Sequence, residues 1–201
     1  MRKQRTQYKG TEERRIQIVD AALACFTEMG FQNTIMEDIR LRSGASNGSI
    51  YHHFNSKEQL AATVYLQGIV EYQAEMVEEL NKVSDAHEGI RTIIRHHVSW
   101  VCEHPDWARY LFRMRHADFM SHVEEAMTKA NREYETTLGN FFRNHIESGT
   151  LRRLPKELFV SIIFGPCQEL SRHWLSTKMP ADIDNIVNEL GEAAWRALSL
   201  G

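Results

Sequence analysis

The chain has 201 residues, of which 42% are hydrophobic and 25% are charged, with a net charge of −3, and this composition excludes a largely disordered protein. Its three cysteines, Cys25, Cys102 and Cys167, are far apart and odd in number, which argues against a disulfide framework and predicts a cytoplasmic location. The basic N-terminus lacks the apolar segment of a signal peptide, and no run approaches the roughly 20 apolar residues of a membrane span, so we expect no membrane partner.

The charges are unevenly distributed along the chain. Residues 1–60 carry nine Lys or Arg and seven Asp or Glu, whereas residues 61–201 carry fifteen and twenty. A basic front end on an acidic body is typical of a protein whose first part meets an anionic polymer.

Helical patterns cover nearly the whole chain, and no stretch shows the alternation of a β-strand. Gly30 and Gly149 are helix stops, Pro155 opens a helix, and Ser56-Lys-Glu-Gln59 and Thr34-Ile-Met-Glu37 are capping boxes. We expect about nine helices, over residues 11–29, 34–44, 46–52, 56–82, 85–103, 106–115, 118–148, 155–176 and 182–199. The sequence therefore predicts an all-α fold, with an N-terminal three-helix domain (residues 1–55) that contains a helix-turn-helix, and a larger C-terminal helical bundle (residues 56–201).

The segment GASNGSIYHHF, residues 44–54, is a short helix with almost no packing residues. Two short helices joined by a tight turn at Gly44 form a helix-turn-helix, whose second helix enters the major groove of DNA. Small and polar residues allow close approach, and Ile50 and Phe54 should point inward. The alternative is a glycine-rich connector with solvated histidines.

Individual side chains of this region have the chemistry that DNA contacts require. Asn47 has the amide that pairs with adenine, and Ser46 and Ser49 suit bases or phosphates. Further phosphate donors are Tyr51, His52, Thr34 and Lys57.

Residues 34–60, TIMEDIRLRSGASNGSIYHHFNSKEQL, resemble the signature of the TetR family of transcriptional regulators, and the resemblance covers about residues 11–60. It implies a homodimer, a three-helix DNA-binding domain and a larger helical domain that binds an effector. Matching positions that would contact DNA are Thr34, Ser46, Gly48, Ser49, Tyr51, His52 and Lys57.

Three residues depart from the family pattern. Met36 replaces a smaller branched residue, which is tolerable core chemistry. Asn47 stands where the family often has lysine, which alters the expected base preference. Arg40 stands where a small alanine usually packs inside the helix-turn-helix, and an unpaired buried arginine is costly. Either the second helix shifts, or Arg40 extends outward to reach DNA, and we include it among the predicted DNA contacts.

Bulky residues concentrate between Trp100 and Met127, and a Gly165-Pro166 pair interrupts a later helix. A kink there, facing the aromatic cluster, makes room for an amphipathic or aromatic small molecule. The predicted effector-binding residues are Trp100, Trp107, Phe112, Arg113, His116, Phe119, Phe164, Cys167 and Gln168. Core packing, surface charge and a kink that serves only the dimer are the alternatives.

The last two helices carry apolar stripes that predict a four-helix dimer interface. Its predicted residues are Leu158, Ile162, Leu170, Trp174, Ile186, Val187, Leu190 and Ala194, with small residues such as Gly191 allowing close approach. A dimer sets the two recognition helices about one DNA turn apart, ~34–36 Å, and an effector would change that spacing.

The alternative functions are an enzyme and a helical adaptor. An enzyme is disfavoured because the chain has no HExxH, CxxC or glycine-rich phosphate motif, and His96, His97, Cys102 and His104 share no single helix face. A helical adaptor leaves residues 44–54 unexplained. We therefore predict a ligand-responsive transcriptional regulator, favouring repression of a palindromic double-stranded DNA operator, with no cofactor, catalytic residue or metal site.

Overall fold

The computed structural model describes the backbone of residues 2–177 and 182–200, and the side chains of residues 11–177 and 182–200. All the secondary-structure elements that run along these ranges are helices, which confirms the predicted all-α fold. The nine α-helices of the described ranges are α1 (Arg2–Met29), α2 (Met36–Ser43), α3 (Asn47–His53), α4 (Lys57–Leu80), α5 (Ala86–Glu103), α6 (Pro105–Met114), α7 (Glu124–Glu147), α8 (Lys156–Ser176) and α9 (Ile183–Leu198). None of them combines the length and apolar character needed to cross a membrane.

Most helix ends lie where the sequence predicts them. Gly30, Gly44 and Gly149 have φ angles of 81°, 64° and 76°, the left-handed conformation that ends helices and that glycine adopts without strain. The chain also breaks as predicted before Pro105, because the His104 amide caps α5 by donating to the Trp100 carbonyl.

Three local features differ from the predictions. Helix α1 begins at Arg2 and continues through Gly10 into the apolar stripe of its later turns. Residues Asp118–Val123 form a 3-10 helix, so that α7 begins only at Glu124. The N-cap of α2 is Ile35, whose amide donates to the Asp38 carboxylate at 2.8 Å, so the predicted Thr34–Glu37 capping box is wrong.

The contacts divide the chain into two compact units. The first comprises residues up to Ile69 together with Arg109–Met127, and therefore includes α1 to α3 and the first half of α4. Its buried residues include Ile18, Val19, Ala22, Phe26, Ile39, Ala45, Ile50, Phe54, Leu60, Ala61, Val64, Tyr110 and Phe119. Its range differs from the predicted 1–55 because aromatic residues after α5 pack on it: Tyr110 stacks on Phe26, with ring centroids 5.7 Å apart, and Phe119 contacts Phe31 at 5.0 Å.

The second unit comprises Val70–Ala108 and Thr128–Gly201. Helix α5 packs against α8 and α9, which also pack on each other. Its core is formed by Met76, Leu80, Ala86, Ile90, Ile93, Ile94, Val98, Leu138, Leu151, Phe159, Ile163, Cys167, Trp174, Val187, Ala194 and Leu198. A β-bridge between Leu151 and Ser199 fixes the end of α9 to the segment between α7 and α8.

Candidate nucleic-acid interface and effector site

Helix α3 is held to the first unit by a few apolar side chains. Ile50 is fully buried, and Ala45 and Phe54 flank the helix as buried anchors before and after it. The Ser46 hydroxyl caps the helix by accepting the Ser49 amide at 3.2 Å. The Ser46 cap and the buried side chains thus hold α3 in place, and the opposite side of the helix makes no packing contacts.

The side of α3 away from the core carries Asn47, Gly48, Tyr51 and His52, all exposed. A Cβ built on Gly48 would meet no atom of the protein within 4 Å, so no packing within the described chain requires a glycine there. His53 lies at the edge of this surface, and burial is the main cause that lowers its pKa. We call Ser46, Asn47, Gly48, Tyr51 and His52 the α3 surface. It is polar and accessible, as a groove-binding helix requires.

Two predicted phosphate donors turn inward in this structure. Thr34 is fully buried, and its hydroxyl donates to the carbonyls of Gly30 and Cys25 at 2.8 and 3.2 Å. The Lys57 ammonium donates to the carbonyls of Phe31 and Thr34, both at 2.8 Å, and lies 4.4 Å from the Phe31 ring centroid. Both side chains therefore stabilise the turn between α1 and α2 here, and the sequence pattern could not distinguish this from a phosphate contact.

Arg40 is neither buried without a partner nor extended into solvent. Its guanidinium makes a two-point hydrogen bond with the Glu37 carboxylate, at 2.6 and 2.7 Å, and a longer one of 3.4 Å to the Ala45 carbonyl. The Arg40 hydrogen bond lowers the pKa of Glu37. Because Glu37 lies one turn earlier on the same helix, α2 accommodates the arginine, and a DNA contact by Arg40 would have to displace these partners.

The predicted effector-binding residues do not come together in one unit. Phe112, Arg113, His116 and Phe119 lie in the first unit, whereas Trp100, Trp107, Phe164, Cys167 and Gln168 lie in the second. Arg113 and His116 are exposed, which fits the alternative of surface charge. Gly165 and Pro166 are also exposed, and α8 continues through Pro166, so neither residue is buried against the aromatic cluster.

A polar cluster around the buried His97, in the second unit, was not predicted from the sequence. His97 Nδ1 lies 3.0 Å from the Tyr72 hydroxyl, and Tyr72 also shares a hydrogen bond with Tyr134. Burial, and to a smaller extent the neighbouring His96, lower the pKa of His97 from 6.5 to about 4. The available signal was a pair of histidines in the middle of an apolar helix, α5.

The same region shows no metal chemistry. Across the described ranges, no group of three His, Cys, Asp or Glu side chains is arranged to hold a metal ion. His96 instead approaches two oxygens of the protein: its Nε2 lies 3.0 Å from the Tyr72 carbonyl, and its Nδ1 lies 3.4 Å from the Glu79 carboxylate.

The predicted dimer residues fall into two groups. Trp174, Val187 and Ala194 are buried in the core of the unit, so in the described chain they offer no surface to a partner, and their prediction as interface residues is wrong there. The space beside Gly191 is also filled by this chain, because a Cβ atom added there would lie 2.8 Å from the Arg91 side chain. The predicted residues that keep exposed surface are Leu158, Ile162, Leu170, Ile186 and Leu190.

Comparison with known proteins covers nearly the whole chain. The family model described as "Bacterial regulatory proteins, tetR family" matches residues 18–64, and the one described as "Tetracyclin repressor-like, C-terminal domain" matches residues 65–200. The chain is 22% identical over 181 residues to the fatty acid metabolism regulator protein of Bacillus subtilis, covering 88% of this chain and 91% of that protein. It is 23% identical over 188 residues to the transcriptional activator FasR of Mycolicibacterium smegmatis, covering 94% and 84%. The fold is similar to the crystal structure of FadR from Bacillus subtilis in complex with stearoyl-CoA, with a TM-score of 0.75, 22% identity and coverage of 89% and 96%.

Proposed function

The chain belongs to the TetR family of bacterial regulatory proteins, whose members are ligand-responsive transcription regulators rather than enzymes, and from this premise we propose that it is a cytoplasmic repressor. In this proposal a homodimer binds a palindromic operator and is released by a small-molecule effector. The observation that carries the DNA-binding part is the α3 surface. It is exposed, it is capped by Ser46, and the open space around Gly48 leaves room for a close external partner.

The dimer part of the proposal is supported by unpartnered apolar surface on α8 and α9. Leu158 and Val160 are 45% and 47% exposed on α8, and Ile186 and Leu190 of α9 are only half-buried. Exposed apolar surface of this kind marks protein interfaces. A two-fold pairing of these helices would supply the second α3 surface that a palindromic operator requires.

For the effector, we propose a long-chain fatty acyl thioester. The support is the likeness to a fatty acid metabolism regulator along most of both chains and to a fold whose crystal structure contains stearoyl-CoA.

The test is selection of bound duplexes from a random DNA pool by the purified protein, at near-physiological salt because affinity depends steeply on salt. We expect an inverted repeat whose half-site centres lie about one turn, ~34–36 Å, apart, and release of the selected DNA by stearoyl-CoA. A Tyr51→Glu variant should recover no motif, because a carboxylate on the α3 surface repels phosphates. Recovery of no motif by wild-type protein, repeated after refolding to strip any bound ligand, would overturn the proposal.

Activation is the second candidate, since the relative FasR, matched over 94% of this chain, is named an activator. In-vitro transcription from a promoter that contains the selected site separates the two. A repressor lowers transcript yield, and stearoyl-CoA restores it. An activator raises the yield above the protein-free level.

A further inference from the structure

The turn between α2 and α3 is held by polar contacts that converge on one side chain, Arg40. Its Nε and Nη2 donate to the two carboxylate oxygens of Glu37, at 2.7 and 2.6 Å. Its other terminal nitrogen, Nη1, donates to the carbonyl oxygen of Ala45 at 3.4 Å. The first two contacts lie within α2, whereas the third leaves the helix and reaches the residue before Ser46, the cap of α3.

The amide of Ala45 is connected to Arg40 by a second route. It donates to the hydroxyl oxygen of Ser43 at 3.3 Å, and that hydroxyl donates to the carbonyl oxygen of Arg40 at 3.2 Å. Both polar backbone groups of Ala45 therefore lead back to Arg40, the carbonyl through the guanidinium and the amide through Ser43. We call Glu37, Arg40, Ser43 and Ala45 the Arg40 clamp.

The Glu37 carboxylate determines which nitrogen of Arg40 faces the turn. A guanidinium is planar, and a two-point hydrogen bond to a carboxylate fixes its plane as well as its position. Because Nε and Nη2 both donate to Glu37, Nη1 is the nitrogen that meets the Ala45 carbonyl. The ion pair within α2 thus orients the contact that leaves the helix.

Helix α3 has few other restraints on its direction. It is seven residues long, and Ile50 is its only buried residue, with Ala45 and Phe54 buried on either side of it. The carbonyl that Arg40 holds belongs to the peptide that joins Ala45 to Ser46. A rotation of this peptide would change the direction in which the whole short helix leaves the turn.

The neighbouring Arg42 makes an ion pair of a different kind. Its guanidinium forms a two-point hydrogen bond with the Glu28 carboxylate, at 2.5 and 2.7 Å, and it also interacts with the Cys25 thiol. Both of these partners lie on α1. Arg42 therefore joins α2 to α1, whereas Arg40 joins α2 to the start of α3.

We propose that Arg40 is a positioning residue for DNA recognition, which holds the peptide between Ala45 and Ser46 so that the α3 surface is directed into the major groove. In this role Arg40 does not itself contact DNA, in contrast to the expectation from the sequence. The inference rests on the DNA-binding part of the proposed function and adds the residue that sets the direction of the recognition helix.

The test compares Arg40→Met with wild type in binding to the selected operator and to a duplex of scrambled sequence. Methionine keeps an unbranched apolar side chain and removes the contacts with Glu37 and Ala45. We expect the ratio of the two affinities, operator over scrambled duplex, to fall about 3- to 10-fold, the equivalent of one net hydrogen bond. The salt dependence of operator binding should equal that of wild type, because no phosphate contact is lost.

Direct contacts of Arg40 with DNA predict other results. Loss of a phosphate contact would weaken binding to both duplexes about equally and make the slope of log affinity against log salt shallower by about 0.9. Loss of a base contact would relax the preference at a single position of each half-site when the selection is repeated with the variant. Either result, or an unchanged affinity ratio, would overturn the inference, since a misdirected α3 should relax the preference at several positions.

Glu37→Gln is a second variant, which keeps Arg40 and weakens the bond that orients it. We expect the affinity ratio to fall in the same direction as in Arg40→Met, but by less. The general gain in affinity from removing a negative charge cancels in this ratio. A steeper salt dependence would instead mean that the released Arg40 reaches a phosphate, which contradicts the inference. If Arg40→Met does not fold, Glu37→Gln decides.

Arg42→Met is the matched control, because it removes a two-point ion pair from the same helix without touching the turn. Its affinity ratio should equal that of wild type, and urea denaturation checks that each variant is folded. If Arg42→Met and Arg40→Met lower the ratio equally, loosening of α2 explains both, and the specific role of Arg40 is rejected.

Failure of this inference is distinguishable from failure of the proposed function. If wild-type protein selects no operator, the DNA-binding function fails and the inference falls with it. If wild-type protein selects an operator and Arg40→Met retains the wild-type affinity ratio, only the inference fails.

Discussion

The hydroxyl of Tyr110 donates a hydrogen bond to the carbonyl oxygen of Ala61, 2.8 Å away and 49 residues earlier in the chain. Tyr110 is 2% exposed, and burial raises its pKa well above the usual 10. The same ring stacks on Phe26 of α1. This one side chain therefore joins α6 to both α1 and α4 within the first unit.

Replacing Tyr110 with phenylalanine removes the hydroxyl and keeps the ring. We expect Tyr110→Phe to lower the free energy of unfolding by about 1 kcal/mol, the net value of a buried hydrogen bond. Urea denaturation measures this change in the free energy of unfolding. Tyr51→Phe on the α3 surface, where the ring is 49% exposed, should change stability by less than about 0.5 kcal/mol, and equal effects of the two changes would contradict the role given to Tyr110.

Gly48 should be a position where stability and DNA binding respond in opposite directions. Its Cβ would meet nothing within 4 Å in the free protein. We expect Gly48→Ala to stabilise the free protein by up to about 1 kcal/mol, because alanine favours helix. Affinity for the selected operator should fall by about tenfold, a loss of roughly 1.4 kcal/mol, since a methyl group then faces the DNA.

Thermal unfolding and operator titration measure both effects of Gly48→Ala. Gly139→Ala, at another open helical position, should show the stability gain without the loss of affinity. A Gly48→Ala variant with unchanged affinity would mean that α3 does not approach DNA closely at this residue.

Gly89 of α5 is a glycine that packing requires. A methyl group there would overlap the ring carbons of Phe141 on α7. We expect Gly89→Ala to lower the free energy of unfolding by about 1–3 kcal/mol through overpacking. Adding Phe141→Leu should recover part of this loss, and a double variant that is less stable than the sum of the two single changes would contradict the overlap.

The protonation of His97 should make stability depend on pH. The neutral form is buried, with a folded pKa of about 4 against 6.5 for the free side chain, so the unfolded chain binds the proton more tightly. Burying His97 in its neutral form therefore makes the free energy of unfolding depend on pH, by roughly 3 kcal/mol at most. The stability is at its full value above pH ~6.5 and falls as the pH falls toward ~4. Urea midpoints between pH 4 and 7.5 should fall more steeply in wild type than in His97→Gln, whereas His173→Gln, at an exposed position, should keep the wild-type slope.

Lys57 tests whether the inward contacts persist on DNA. Its ammonium holds the carbonyls of Phe31 and Thr34, so Lys57→Met should lower the free energy of unfolding by about 1–3 kcal/mol. If Lys57 stays inward, the salt dependence of operator binding is unchanged. The sequence-based prediction of a phosphate contact instead requires the slope of log affinity against log salt to become shallower by about one.

Much of the helical framework was predictable because its signals are local. Glycine stops, the Ser56 cap and the inward anchors Ile50 and Phe54 depend on backbone geometry and on neighbouring residues, and the structure contains them where the sequence indicates. The family was recognisable from residues 34–60 for the same reason. Even the exposed side of α3 follows from a shortage of packing residues within one short segment.

The partners of the polar side chains were decided only by tertiary structure. Thr34 and Lys57 have the chemistry of phosphate donors, but carbonyls of the α1–α2 turn lie within their reach. Val187 and Ala194 lie on an apolar stripe that predicts an interface, but the packing of the unit buries both of them within the chain. The polar partner of His97 is Tyr72 of α4, which in turn pairs with Tyr134 of α7, so the pattern of α5 alone could not predict it. The periodicity of a sequence predicts that a residue faces inward. Only the packing of segments that are distant in the sequence determines which residues it contacts there.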